Sequence, residues 1–91
     1  MSTKELSKYT IINIFKEIDY LTEEKVSVIL FCGSVSVWLP QTKKKKTRIK
    51  EIIEYLEEKK LVHCYLVQKS PETAYYLQVT STEKLRNIMA D

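Results

Sequence analysis

Positive charge is concentrated in one short segment of this 91-residue chain, Lys43–Lys50, which holds six of its fifteen lysine and arginine residues. The remaining residues include nine basic and twelve acidic side chains, a formal charge of −3. A cationic segment on an otherwise acidic chain creates a local field that attracts phosphate groups and releases their counterions. The segment therefore predicts binding to nucleic acid, whereas a solvated lysine loop without a ligand is the alternative interpretation.

The basic segment stands at the start of a helix predicted for Thr47–Lys60. Isoleucine and leucine recur there at three- and four-residue spacing, with glutamates between them, as in an amphipathic helix. Unpaired backbone N–H groups and the positive end of the helix dipole also favour phosphate at a helix start. We expect Lys43–Lys46 and Arg48 to bind phosphates, and Thr47, Lys50 or Glu51 to reach base edges.

Cysteine and histidine offer little basis for catalysis or metal binding. His63, the single histidine, adjoins Cys64, so in a strand the two side chains point to opposite faces. No Cys-x-x-Cys or His-x-x-x-His spacing supplies further ligands, and the single glycine argues against a phosphate-cradling loop. Cys32 and Cys64 lie in apolar runs and are expected to be buried free thiols. We expect no enzyme activity, no metal and no cofactor.

Length and composition favour one folded domain over residues 1–91. Apolar residues make up 44% of the chain, which is typical of a globular protein. The longest apolar run, Val26–Leu39, is interrupted by serines and is shorter than the roughly 20 residues of a membrane-spanning helix. We expect no membrane association, and a location in the cytoplasm or at the nucleoid.

The other predicted elements are a first helix, a β-rich region, a hairpin and a closing helix. Apolar residues at helical spacing predict the first helix over Ser7–Leu21, with Ser2 or Ser7 as the cap at its start. Val26–Leu39 favours strand, turn, strand, with the turn at Gly33-Ser34. A hairpin is predicted from Leu61–Val67 and Ala74–Thr80, and a capping-box spacing then starts a short helix.

The C-terminal half of the chain resembles a known family. Thr47–Val62, the strand end Tyr75–Thr80 and the helix start Ser81–Leu85 are similar to the recognition helix, wing and following helix of winged-helix regulators of the MarR and PadR kind. The resemblance implies an α+β winged-helix fold, DNA as the partner and a role in transcription regulation. It implies a nucleic-acid contact set of Lys44, Lys45, Lys46, Thr47, Arg48 and Lys50. The basic segment adds Lys43 to the predicted binding residues, and the wing loop adds its one cation, Lys69.

In a winged helix, Val26–Leu39 would have to supply the helix that precedes the recognition helix. Because this segment favours strands, an alternative fold and an alternative function stay open. If this region is β, the order helix-ββ-helix-ββ-helix is that of a two-layer sandwich, a permuted ferredoxin-like fold. The protein would then be a small interaction module or inhibitor that binds a protein partner through its hairpins and Trp38, without nucleic-acid contact. A homodimer joined through the first helix is a further expectation of the winged-helix interpretation.

Overall fold

The computed structural model describes residues 6–28, 33–67 and 76–90 as an α+β fold with three helices and a three-stranded antiparallel sheet. In chain order its elements are helix α1 (Lys8–Thr22), a 3-10 turn (Val26–Val28), strand β1 (Ser34–Trp38), helix α2 (Lys43–Glu58), strands β2 (Val62–Val67) and β3 (Tyr76–Ser81), and helix α3 (Glu83–Ala90).

Helix α1 confirms the predicted first helix, and Ser7, the second of the two possible caps, is its N-cap. The Ser7 Oγ accepts a hydrogen bond from the backbone N–H of Thr10 at 3.1 Å, which satisfies one of the unpaired donors of the first turn. Ile11, Phe15 and Ile18 recur at helical spacing and are all buried in the core. The amphipathic pattern therefore determined both the existence of this helix and the side that it buries.

The region Val26–Leu39 departs from the predicted strand, turn, strand. Its described part contains the 3-10 turn and β1 only, so neither a long helix nor a local hairpin is seen there. The turn predicted at Gly33-Ser34 is wrong, because Ser34 is already the first residue of β1. Gly33 has a φ of +90°, which favours glycine, and its carbonyl accepts a 2.6 Å hydrogen bond from the backbone N–H of Ser81. Pairing with β3, not a local turn, decides this conformation.

The sheet has the order β1-β3-β2, and both pairs are antiparallel. The predicted hairpin is confirmed as β2 and β3, although residues 68–75 between them lie outside the described part of the chain. Along β3, Leu77, Val79 and Ser81 are buried while the residues between them are half-buried. One face of the sheet therefore packs against the helices, and the opposite face is open to solvent.

Helix α2 begins at Lys43, four residues before the predicted start at Thr47, and ends at Glu58. Ile49, Ile52, Ile53 and Leu56 form its buried stripe, as the spacing predicts. These side chains join α1, the inner face of the sheet and Leu85 of α3 in one core. Among the described residues, no helix is both long and apolar enough to span a bilayer.

A Schellman motif ends α2 and directs the chain into β2. The Leu61 N–H donates to the Leu56 carbonyl at 3.0 Å and the Lys60 N–H donates to the Glu57 carbonyl at 2.9 Å, while Leu56 and Leu61 are both buried. Lys60 occupies the left-handed position of the motif with a φ of +63°. Glycine usually takes this position because a side chain there is strained.

We expect Lys60→Gly to raise the free energy of unfolding by about 0.5–1 kcal/mol, since the relief of left-handed strain exceeds the added entropy of the unfolded chain. Urea denaturation followed by circular dichroism measures the change. Lys59→Gly is the matched control, because Lys59 has a φ of −80° and gains nothing from glycine. A loss of stability in Lys60→Gly would contradict the role given to the left-handed residue.

Helix α3 begins at Glu83, two residues later than a capping box over Thr80–Glu83 predicts, because Thr82 and not Thr80 caps it. The Thr82 Oγ accepts a hydrogen bond from the Leu85 N–H at 3.3 Å, and it lies 2.8 Å from the Lys60 carbonyl oxygen, to which its hydroxyl donates. The Arg86 guanidinium donates to the Ser81 carbonyl oxygen at 3.1 Å. These bonds attach α3 to the end of the sheet and to the connection between α2 and β2.

Candidate nucleic-acid interface

The four consecutive lysines form the first turn of α2 and are not a flexible loop. Lys43, Lys44 and Lys45 are exposed, and Lys46 is half-buried. Their side chains therefore leave a helical backbone that is held in place by the buried stripe further along the same helix. The structure places these four predicted site residues together at one end of the molecule's longest helix.

Backbone donors are available at the same place. The first hydrogen bond within α2 runs from the Lys46 N–H to the Thr42 carbonyl at 2.9 Å, so the N–H groups of Lys43–Lys45 precede the regular ladder. The Thr42 side chain makes no capping hydrogen bond to them. An anion at this helix start would meet the lysine side chains and backbone N–H groups together.

The charges along α2 run against its dipole. The first turn carries lysines and no acidic residue, and the last turn carries glutamates and no basic residue. A helix is stabilised by the opposite arrangement, with acidic groups near the N-terminus and basic groups near the C-terminus, by about 0.3–1 kcal/mol for each charge. The order of charges in α2 therefore lowers the stability of the helix.

We expect Lys44→Glu to raise the free energy of unfolding by about 0.3–1 kcal/mol while it weakens binding to nucleic acid, because an acidic side chain suits the helix start but repels phosphate. Urea denaturation and fluorescence anisotropy measure the two changes. Glu58→Lys, at the opposite end of α2, is the control: it also suits the dipole and should stabilise the fold without weakening binding. A stability loss in Lys44→Glu would contradict the argument from the dipole.

Arg48 lies in an ion pair with α1. Its Nε donates to Glu17 Oε2 at 2.8 Å and its Nη2 donates to Glu17 Oε1 at 3.2 Å. This two-point contact lowers the pKa of the Glu17 carboxyl and raises the pKa of Arg48. Both side chains remain largely exposed, so the pair adds modestly to stability. The predicted phosphate ligand Arg48 is thus already engaged by a carboxylate of α1.

Thr47, Lys50 and Glu51, the residues predicted to reach base edges, are all exposed on α2. Thr47 and Lys50 follow Lys43 at four and three residues and share one side of the helix with it. Glu54 continues this side toward the C-terminus and would repel a phosphate chain. Only the N-terminal half of the helix is therefore suited to nucleic acid. Lys69, the predicted contact in the wing, lies outside the described residues.

A groove of about 720 Å³ adjoins the same helix start. It runs between the end of α1 and the first two turns of α2, where the methylene groups of the lysines and the Leu21 side chain provide apolar surface. The lining residues are Leu21, Lys43, Lys44, Lys45, Thr47, Arg48 and Glu51. Leu21 was missed by the sequence reasoning, because its contact with this site depends on how α1 packs against α2.

The cysteine and histidine side chains in the described residues form no evident reactive centre. The half-buried Cys64 thiol has a raised pKa, because burial and the nearby Glu57 carboxylate both disfavour the thiolate. His63 is exposed, and Cys32 lies outside the described part of the chain. Among residues 6–28, 33–67 and 76–90, no group of three or more His, Cys, Asp or Glu side chains could hold a metal ion.

Comparison with known proteins adds no relative from which a function could be transferred. No protein-family model, no curated protein and no solved structure matches this chain. The resemblance to winged-helix regulators therefore stays a prediction, and the function has to be inferred from charge and geometry.

Proposed function

We propose that the protein is a DNA-binding regulator that holds DNA phosphates at the N-terminus of α2. The observation that supports this most directly is the first turn of that helix, where Lys43, Lys44 and Lys45 are exposed and their backbone N–H groups precede the helical ladder. Phosphate is favoured there by side-chain charge, by amide donors and by the helix dipole. The cost in stability of placing lysines at a helix start adds to the argument.

We also propose that the α+β fold is a winged helix. The order β1-β3-β2, with α2 leading directly into the β2–β3 hairpin, supports this assignment. Within it, α2 is the recognition helix and the hairpin is the wing. The strand β1 and residues 39–42, not a second helix, immediately precede α2. The Arg48–Glu17 pair and the buried stripe then orient the recognition helix.

In the proposed mechanism, one set of residues binds the DNA backbone and another set recognises the base sequence. Lys43, Lys44 and Lys45 bind phosphates and set the position of the protein on the duplex, a contact that carries no sequence information. Thr47 and Lys50, one and two turns further, reach base edges in the major groove, where each base pair presents a distinct pattern of donors and acceptors. The protein bound at its DNA site then either blocks other proteins from that site or recruits them to it.

The test is a salt titration of binding to a fluorescein-labelled DNA duplex, followed by anisotropy. If about four or five phosphates are neutralised, the logarithm of the association constant should fall against the logarithm of salt concentration with a slope of roughly −4. A slope near zero, or no binding at low salt, would refute the proposal. A scrambled duplex measured in parallel reports whether base edges contribute to affinity.

A further inference from the structure

The face of the sheet that points away from the helices carries a regular arrangement of side chains. Directly paired residues share a face, and the registers place three rows across the three strands. The described side chains of these rows, in the order β1, β3, β2, are Ser34, Thr80 and His63; Ser36, Gln78 and Tyr65; and Trp38 and Tyr76. None of these eight positions holds a carboxylate, although the chain has twelve acidic residues.

Aromatic rings occupy this face. Trp38 and Tyr76 lie with their ring centroids 4.7 Å apart and their planes tilted by 45°. Trp38 is 41% exposed and Tyr65 is 66% exposed, which is unusual for side chains with so much apolar area. Val37, the residue before Trp38 in β1, is buried on the inner face of the sheet. The exposed rings are therefore not part of the core.

A hydrogen-bonded polar strip holds the rest of the face in place. The Ser36 hydroxyl donates to Gln78 Oε1 at 2.8 Å, and the Thr80 hydroxyl donates to the Ser34 hydroxyl oxygen at 3.2 Å. The Gln78 amide also donates to the Ser34 hydroxyl oxygen. The face is therefore a preordered surface of rings and neutral polar groups.

The lysines at the start of α2 follow one end of this neutral face closely in the chain. Four residues separate Trp38 from Lys43, so their Cα atoms are at most about 18 Å apart. A neutral aromatic surface near a cationic helix start is complementary in charge to a chain with flat, uncharged bases and a phosphate backbone.

We propose that this face binds unpaired bases of a single-stranded nucleic acid, with Trp38 and Tyr76 as the first stacking platform and Tyr65 as the second. The inference rests on the proposed function, because the same strand would place its phosphates on Lys43–Lys45. Stacking on aromatic side chains accepts every base, since each base has a π-face. The protein thus combines a phosphate site at the start of α2 with a base site on the sheet.

The test compares a single-stranded oligonucleotide with a duplex of equal length at the same salt concentration. Trp38 is the single tryptophan, so its fluorescence reports on this face alone. We expect quenching by the single strand and little change with the duplex. Trp38→Leu should weaken single-strand binding by roughly 5- to 150-fold, the range for loss of one stacked base, and leave duplex affinity unchanged.

Two further variants keep the result interpretable. Tyr65→Ser, at a highly exposed position, should also weaken single-strand binding. It tests the same face if Trp38→Leu folds poorly. Tyr9→Leu removes an even more exposed ring, on α1, and should have no effect.

Unchanged single-strand affinity in both sheet variants would overturn the stacking proposal. So would a dimer or a complex with another protein that Trp38→Leu dissociates, because the face would then belong to that contact. A different result would refute the proposed function: replacement of Lys43–Lys45 that leaves the affinity for both single strand and duplex unchanged.

Discussion

Replacing Lys43, Lys44 and Lys45 together by glutamine is expected to lower DNA affinity on the order of 10²- to 10³-fold at about 0.1 M salt. Each phosphate contact contributes roughly 0.9 to the slope of log affinity against log salt, so the slope should become shallower by nearly three. The side chains are exposed and glutamine is compatible with a helix, so the fold should be retained. Anisotropy over a range of salt concentrations measures both affinity and slope.

A second triple variant tests whether DNA affinity depends on the lysines at the start of α2 or only on the net charge of the protein. Lys8→Gln, Lys16→Gln and Lys25→Gln together remove the same formal charge from α1 and the residues after it. This variant should lose little affinity, since only the general attraction of the protein for DNA changes. Equal losses in the two triple variants would show that the start of α2 is not a specific site.

The second large effect concerns the core. Phe15→Ala in α1 is expected to lower the free energy of unfolding by about 3–5 kcal/mol, because it removes a large buried side chain and leaves a cavity. Phe15 is 1% exposed and belongs to the buried cluster that joins α1, α2 and the sheet. For a domain of this size the melting temperature should fall by about 12 °C or more. Thermal unfolding followed by circular dichroism measures the shift.

Tyr20→Ala on the same helix is the control for the core variant. Tyr20 is 78% exposed, so its removal should change the free energy of unfolding by no more than about 0.5 kcal/mol. A Phe15→Ala variant as stable as Tyr20→Ala would mean that α1 does not pack in the core as described here.

Local patterns were sufficient for most of the secondary structure. The spacing of Ile11, Phe15 and Ile18 predicted α1, and the isoleucine stripe predicted α2, because a helix repeats every 3.6 residues and its buried side can be read from neighbours. The first turn of α2 was not predicted, since four lysines carry no apolar periodicity. Tyr76–Ser81 was predicted as the second strand of a hairpin to within one or two residues at each end.

Local sequence patterns did not predict which strands pair with each other. Val26–Leu39 was predicted to form its own hairpin, yet Ser34 pairs with Thr80, 46 residues away. β-propensity describes how a side chain fits a pleated surface and does not specify the partner strand. The choice of β3 as partner depends on which strand the core places beside β1, a property of the whole fold.

The sequence by itself determined the cationic segment, the amphipathic helices and the hairpin, because charge and periodicity are properties of adjacent residues. Only the tertiary structure decided that Arg48 is held by Glu17, whereas Lys43–Lys45 extend from an uncapped helix start. It also decided that Trp38 and Tyr76 meet on one solvent-facing surface. Such contacts join residues far apart in the chain, and their geometry is set by how the core packs.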